Sequence, residues 1–293
     1  MKRQEYPCSL NPCSLNPCSL NPCSLSPCLK MKNKILKGGL ILLLLAACTS
    51  GDIQNKEVDP CAQHTKLVGG TTYTSNNGGN TPLPGTPYGY EMWTEGGNNN
   101  KFIWYGANQG GGAAFRAEWN NPHDFLGRIG YFWNEGKQYT DYKNIYCAFN
   151  FTRSANGTAG GYSYIGIYGW SRDPMIEWYI VEDWFGEGII GPATMGNEAT
   201  KVGEFMVDDA TYFIYQATRP AGSGNIDDSA DPFPQFFSVR QTRRQCGTIS
   251  ITEHFKKWDS IGLKLGNNMY EAKFLIEAGG GIGWLDASYI SFY

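Results

Sequence analysis

The chain has 293 residues, with 37 Gly, 18 Tyr, 15 Phe and 9 Trp, and only 17% of it is charged. So many aromatics with so few charges exclude a disordered chain and a coiled coil, and together with the glycines they favour strands and turns. Residues 1–47 hold six basic residues and one acidic residue, which leaves 18 basic against 26 acidic residues beyond them, a net charge of −8; without a basic cluster, a neutral polymer or small molecule fits better as a partner than nucleic acid.

The N-terminal stretch is a low-complexity repeat. Its unit PCSLN starts at Pro7, Pro12 and Pro17 and degenerates at Pro22 and Pro27, carrying Cys8, Cys13, Cys18, Cys23 and Cys28. Such a tract is either a metal-binding segment or untranslated sequence upstream of a start at Met31. We read residues 1–30 as untranslated, because the residues from Met31 onward form a complete export signal on their own. Lys32, Lys34 and Lys37 precede an apolar run over 40–47, far shorter than the ~20 residues that span a bilayer. Leu45-Ala46-Ala47-Cys48 resembles a bacterial lipobox, against the alternative of an ordinary cleaved signal with a chance cysteine. The expectation is a signal peptide over 31–47, a lipid anchor on Cys48 and a polar tether over 48–67. Thr49 is not the Asp that retains many lipoproteins in the inner membrane, so the outer membrane or cell surface is expected. Beyond the anchor only Cys61, Cys147 and Cys246 remain, which allows one disulfide without saying which pair forms it.

From residue 68 to the end the texture is even, as in one domain. Residues 71–73 read as a first strand and 76–87 as a loop. Short alternating runs recur at 102–105, 114–119, 130–133, 145–151, 162–170, 177–183, 210–219, 236–240, 248–251, 270–277 and 287–292, each bounded by Gly, Asn, Asp or Pro. That many runs imply two packed antiparallel sheets in an all-β fold. One segment reads as a helix, with Thr252 as N-cap, Glu253 in the first turn, Phe255, Trp258 and Ile261 on one side, and Gly262 closing it.

Strand parity sorts the side chains, since alternate residues share a face. Tyr162, Tyr164, Tyr168 and Trp170 fall on one face. So do Glu177, Tyr179 and Asp183, with Trp178, Ile180 and Glu182 opposite. Aromatic rings interleaved with carboxylates suit a sugar groove, where rings stack on pyranose faces and carboxylates do the chemistry; the alternative is ordinary aromatic core. Glu182 points away, and Glu253 is explained as a helix N-terminal charge. His64, His123 and His254 are scattered without metal-ligand spacing, so no metal or cofactor is expected.

The run Tyr168-Gly-Trp-Ser-Arg-Asp-Pro-Met-Ile-Glu177-Trp-Tyr-Ile-Val-Glu-Asp-Trp184 resembles a signature segment of glycoside hydrolase family 11, the endo-β-1,4-xylanases. Phe274-Leu-Ile-Glu277-Ala-Gly-Gly-Gly resembles the second, and the stretches 211–219, 235–240 and 250–258 match in order and spacing. The resemblance covers roughly 68–293, the expected catalytic domain. It implies a β-jelly-roll sandwich of two twisted antiparallel sheets with one α-helix and a thumb hairpin, acting on xylan or xylo-oligosaccharides as a monomer. A non-catalytic glycan-binding protein and a retaining β-1,4-glucanase are the alternatives. By resemblance Glu177 is the nucleophile and Glu277 the acid/base. Asp124 stands where the family places the Asp or Asn that touches the acid/base, and Asp implies an acidic optimum; from the residues alone it also reads as a turn aspartate. Trp93 is expected to stack on a distal glycone sugar, Tyr168 and Tyr179 to bond near the nucleophile with Trp170 beside them, and Arg219 and Gln235 to meet substrate hydroxyls. The thumb tip, with Ile226, touches sugar through its backbone. Departures from the family pattern are Met175, Trp178, Gly224, Asp228, Phe237, and Gly279 where Tyr is frequent.

Overall fold

The computed structural model describes residues 59–62, 66–77, 79–133, 135–188 and 199–293. Cys48, His64, the repeat and the signal segment lie outside them. Residues 56–293 form one unit, which holds every described strand.

Fifteen strands, numbered in chain order, form two sheets among the described residues. The outer sheet runs β1 (Thr71–Tyr73), β4 (Lys101–Trp104), β5 (Phe115–Asn120), β15 (Ile282–Phe292), β7 (Tyr146–Ala155) and β13 (Cys246–Ser250). The inner sheet runs β10 (Thr200–Val207), β11 (Ala210–Arg219), β12 (Phe233–Arg240), β9 (Ile176–Asp183), β8 (Ser163–Arg172), β14 (Asn268–Ala278), β6 (Pro122–Phe132), β3 (Gly89–Gly96) and β2 (Thr81–Pro82). All pairings are antiparallel except β9 with β12, which run parallel.

In the outer sheet, β5 reads buried and half-buried in strict turn, as a strand with one wet face must. In the inner sheet, every residue of β9 is buried. Its two faces serve two apolar clusters. Phe115, Phe151, Ile167, Trp178 and Phe274 fill the space between the sheets. Tyr164, Tyr168, Trp170, Tyr179, Phe233 and Phe237 form a second cluster on the opposite face. A strand covered on both sides loses the polar half of its alternation, which is why residues 162–183 carry so few exposed polar groups.

The helix α1 (Ile251–Ser260) follows β13 without a loop, so it starts before the expected N-cap. Ser250 occupies that position with no side-chain cap, and Thr252 Oγ1 instead accepts a hydrogen bond from the Ile145 N–H at 2.8 Å. Phe255 and Trp258 are buried, whereas Ile261 lies past the last turn and is 46% exposed. Gly262, at φ +89°, closes the helix. The helix braces the underside of the inner sheet. Phe255 meets the edge of Trp178 at 4.8 Å between centroids, and Trp258 Nε1 donates to Ser238 Oγ at 2.9 Å. Cys61 pairs with Cys246, which ties the N-terminal segment to β13 and leaves Cys147 a buried free thiol.

Trp178 needs room that Gly169 supplies. A Cβ at Gly169 would sit 2.2 Å from the indole and 2.1 Å from the Glu271 carbonyl oxygen. Gly169→Ala is therefore expected to cost about 1–3 kcal/mol through overpacking and to displace the strand that carries Glu177. Urea unfolding checks it; parent stability would contradict this packing.

Candidate active site

Glu177 and Glu277 stand on β9 and β14, with β8 between them. Glu177 pairs in register with Trp170 and Gln235, and Glu277 with Tyr164 and Leu126. Both carboxyl groups reach the aromatic face and line one cleft of about 1050 Å³. Every described residue singled out as a substrate contact lines it as well: Trp93, Tyr168, Trp170, Tyr179, Arg219, Ile226 and Gln235, together with Asp124. Trp93, 37% exposed, is the open wall of this cleft.

The two carboxyl groups are treated differently. Three donors converge on Glu177. The Tyr168 hydroxyl reaches Oε1 at 2.8 Å, the Tyr179 hydroxyl reaches the same oxygen at 3.0 Å, and Gln235 Nε2 reaches Oε2 at 2.6 Å. Burial raises the Glu177 pKa, while these bonds and the Arg219 charge pull it back toward the ionised form. Glu277 lacks such a set. Its Oε2 is buried without a partner. Burial, then the charges of Asp124 and Glu177, push its pKa well above the usual carboxylate range, against the Tyr179 hydroxyl and the Arg128 charge.

A protein-family model matches residues 86–287, and its description is glycosyl hydrolases family 11. This chain belongs to glycosyl hydrolase family 11. An endo-1,4-beta-xylanase of Fibrobacter succinogenes is 41% identical over 246 residues, 82% of this chain and 37% of that protein. The chain thus spans little more than a third of that relative's length. An endo-1,4-beta-xylanase of Neocallimastix patriciarum is 38% identical over 261 residues, covering 88% of this chain and 72% of the relative. A crystal structure of an ENZbleach xylanase mutant superposes with a TM-score of 0.77 at 55% identity, covering 80% of this chain and 90% of that one.

Three departures from the family 11 pattern, at Gly279, Asp228 and Phe237, have a structural counterpart. At Gly279 a Cβ would fall 2.3 Å from the Tyr162 ring, so the missing side chain makes way for Tyr162, which lines the cleft with Asp124. Asp228, in the place of a tip glycine, takes the left-handed conformation at φ +51°, which aspartate tolerates better than most residues. The thumb tip is held by Asn225, whose Oδ1 accepts from the N–H groups of Asp227 and Ser229 at 3.0 Å each. Asp227 in turn accepts from Arg172 Nε of β8 at 2.7 Å, which draws the thumb onto the cleft. Phe237 stacks on Tyr179 at 4.7 Å, a flat support behind the hydroxyl that bonds to Glu177.

Parity misplaced one residue. Asp183 does not share the face of Glu177, because a bulge interrupts the β8–β9 register just before it. It pairs with Arg153 through two hydrogen bonds of 2.5 and 2.7 Å. Glu182 is buried and accepts from the Tyr212 hydroxyl at 2.5 Å, away from the cleft. Glu253 is bonded to Lys256 on the helix surface. His254 is buried against the Tyr212 ring. Among the described residues no cluster of His, Cys, Asp and Glu is placed to hold a metal. The sequence reading missed Glu91, Arg128 and Glu271, which also line the cleft. They share strand parity with Trp93, Asp124 and Glu277, and that parity is the signal that marks them.

Burial and the Glu95 charge push Asp124 up to about 6, against the bonds from Tyr162 and the Phe125 backbone and the charge of Arg219. Below that pH Asp124 is neutral and can donate toward Glu277; above it, it is an anion. Activity that needs the neutral form is lost as pH rises through about 6, which suits an acidic optimum. Asp124→Asn keeps a neutral donor at every pH, so the basic limb of kcat/KM is expected to move up by about one unit or more. A limb that stays in place or moves down would contradict the need for a neutral donor at position 124.

Proposed function

We propose that the protein is an endo-β-1,4-xylanase that retains anomeric configuration. The observation that carries this reading is the unequal setting of the two glutamates in one cleft. Glu177 is surrounded by donors that favour its anion, and Glu277 is kept protonated by burial and neighbouring charge. In the first step the Glu177 carboxylate attacks the anomeric carbon while Glu277 gives its proton to the leaving oxygen. The glycosidic C–O bond breaks and a glycosyl ester forms on Glu177. Esterification removes the Glu177 charge and one of the causes that raise Glu277, which then accepts a proton from water. That water attacks the anomeric carbon, the ester bond breaks, and Glu177 returns as a carboxylate.

Trp93 offers a ring to a distal glycone sugar, and Tyr168, Tyr179, Arg219 and Gln235 offer donors around the reacting pair. Ile226 at the thumb tip supplies the roof. The relatives named as xylanases support xylan as the substrate class; the catalytic unit we propose is residues 68–293, acting as a monomer. For the N terminus we propose cleavage before Cys48 and lipidation of that cysteine at the cell envelope, supported by the basic n-region, the short apolar run and Leu45-Ala46-Ala47-Cys48.

Reducing-sugar release from xylan, carboxymethylcellulose and mixed-linkage glucan by residues 49–293 tests the activity. The expected result is strong preference for xylan, loss to background in Glu177→Gln, and a fall of about 10²–10⁴-fold in Glu277→Gln. Binding without release in the parent would instead identify a glycan-binding module, and preference for a glucan would refute the substrate.

A further inference from the structure

Four charged side chains lie buried beside the reacting carboxyls, and neither step of the double displacement uses them. Arg128 Nε donates to Glu91 Oε2 at 2.9 Å, and Nη2 contacts the same oxygen. Arg128 Nη1 lies 2.8 Å from Glu271 Oε1, and Lys273 Nζ lies 2.9 Å from Glu271 Oε2. These last two are close charge contacts whose geometry falls short of aligned hydrogen bonds. Burial would raise Glu271, but the charges of Arg128 and Lys273 outweigh it and bring the carboxyl down to about 2. Two acidic and two basic side chains make the formal charges of the network sum to zero.

Its place in the sheet is specific. Glu91 and Arg128 are register partners on β3 and β6, and Lys273 on β14 is the register partner of Tyr168 on β8. The Arg128 guanidinium lies over the Tyr168 ring, 4.5 Å from its centroid. Tyr168 accepts a hydrogen bond from Trp170 Nε1 and donates its own proton to Glu177 Oε1. The ring is clamped on its other side by the Tyr179 edge at 4.7 Å.

Stability does not account for such an arrangement. Taking four charges out of water is unfavourable, and apolar residues of similar volume often match or exceed a buried ion network. Substrate binding does not account for Glu271 and Lys273 either, whose side chains are wholly buried, and where Arg128 and Glu91 border the cleft their charged groups are bonded to each other. We infer that Glu91, Arg128, Glu271 and Lys273 are positioning residues. They fix the plane of the Tyr168 ring and, through its hydroxyl, the orientation of the Glu177 carboxylate. A fork held by two carboxylates cannot swing, and a flat cation over the ring resists the tilt that would carry the hydroxyl off Glu177. Misplacement of a reacting group by about 1 Å can cost ~10²-fold in rate.

The inference rests on Glu177 being the nucleophile, so the test reads its attack directly. An aryl β-xylobioside has a leaving group that needs little help from Glu277. The fourfold variant Glu91→Gln, Arg128→Met, Glu271→Gln, Lys273→Met leaves no unpaired charge. It is expected to keep the parent's Tm or exceed it while kcat falls about 10–100-fold and KM stays within about threefold. Arg128→Lys keeps the charge without the planar fork, and is expected to lose kcat by at least about threefold at unchanged KM. A folded fourfold variant with parent kcat overturns the inference. Should that variant not fold, parent kcat in Arg128→Lys overturns it equally. A raised KM at parent kcat in either variant would make the cluster a substrate contact and also overturn it. A parent protein that fails to hydrolyse the glycoside refutes the xylanase reading itself.

Discussion

Burying two carboxyl groups in one apolar wall is the constraint on which the rest of this molecule depends. An ionised carboxylate removed from water must be given donors or must take up a proton. The inner sheet does one at each site. Glu177 receives Tyr168, Tyr179 and Gln235 from its own strand and both neighbouring strands. Glu277, two strands away in the same sheet, has a buried oxygen with no partner. The sheet thus gives two chemically identical side chains unequal surroundings, with donors that favour the anion at Glu177 and burial with neighbouring charge that favours the acid at Glu277. Asp124 adds a third carboxyl beside Glu277, with Tyr162 occupying the space that Gly279 leaves open.

Holding those groups to a few tenths of an ångström demands support on both faces of the sheet. On the lower face, α1 and the intersheet core press on Trp178, the residue directly after Glu177. On the upper face, Phe237 stacks behind Tyr179, and the Arg128 guanidinium covers Tyr168. The parallel pairing of β9 with β12 sets Gln235 directly beside Glu177. The thumb is anchored to the same sheet, since Asp227 is bonded to Arg172 of β8. Support and chemistry are interleaved residue by residue along β8 and β9, so substitutions that look structural are expected to be felt in catalysis.

Much of this was legible in the sequence because strands have a period of two. Tyr162, Tyr164, Tyr168, Trp170, Glu177 and Tyr179 fall on one face by counting alone, and they line one cleft. Counting failed at Asp183, where a bulge that depends on pairing with β8 interrupts the alternation. It failed for the helix start as well, because Thr252 is recruited by the Ile145 backbone rather than by its own helix. The network of Glu91, Arg128, Glu271 and Lys273 was missed for a different reason. Its members are far apart in sequence, and each alone reads as a solvated strand residue. Only the strand order β8-β14-β6-β3 brings the four together. The pairing of Cys61 with Cys246, 185 residues apart, was hidden in the same way.

The most direct test of the central claim is the anomeric form of the first product. Proton NMR of early xylo-oligosaccharide hydrolysis resolves the newly formed reducing end before mutarotation mixes the anomers. Double displacement through Glu177 requires the β-anomer to appear first, with the α-anomer growing in later. Initial release of the α-anomer would mean a single displacement by water, and would contradict a covalent intermediate on Glu177.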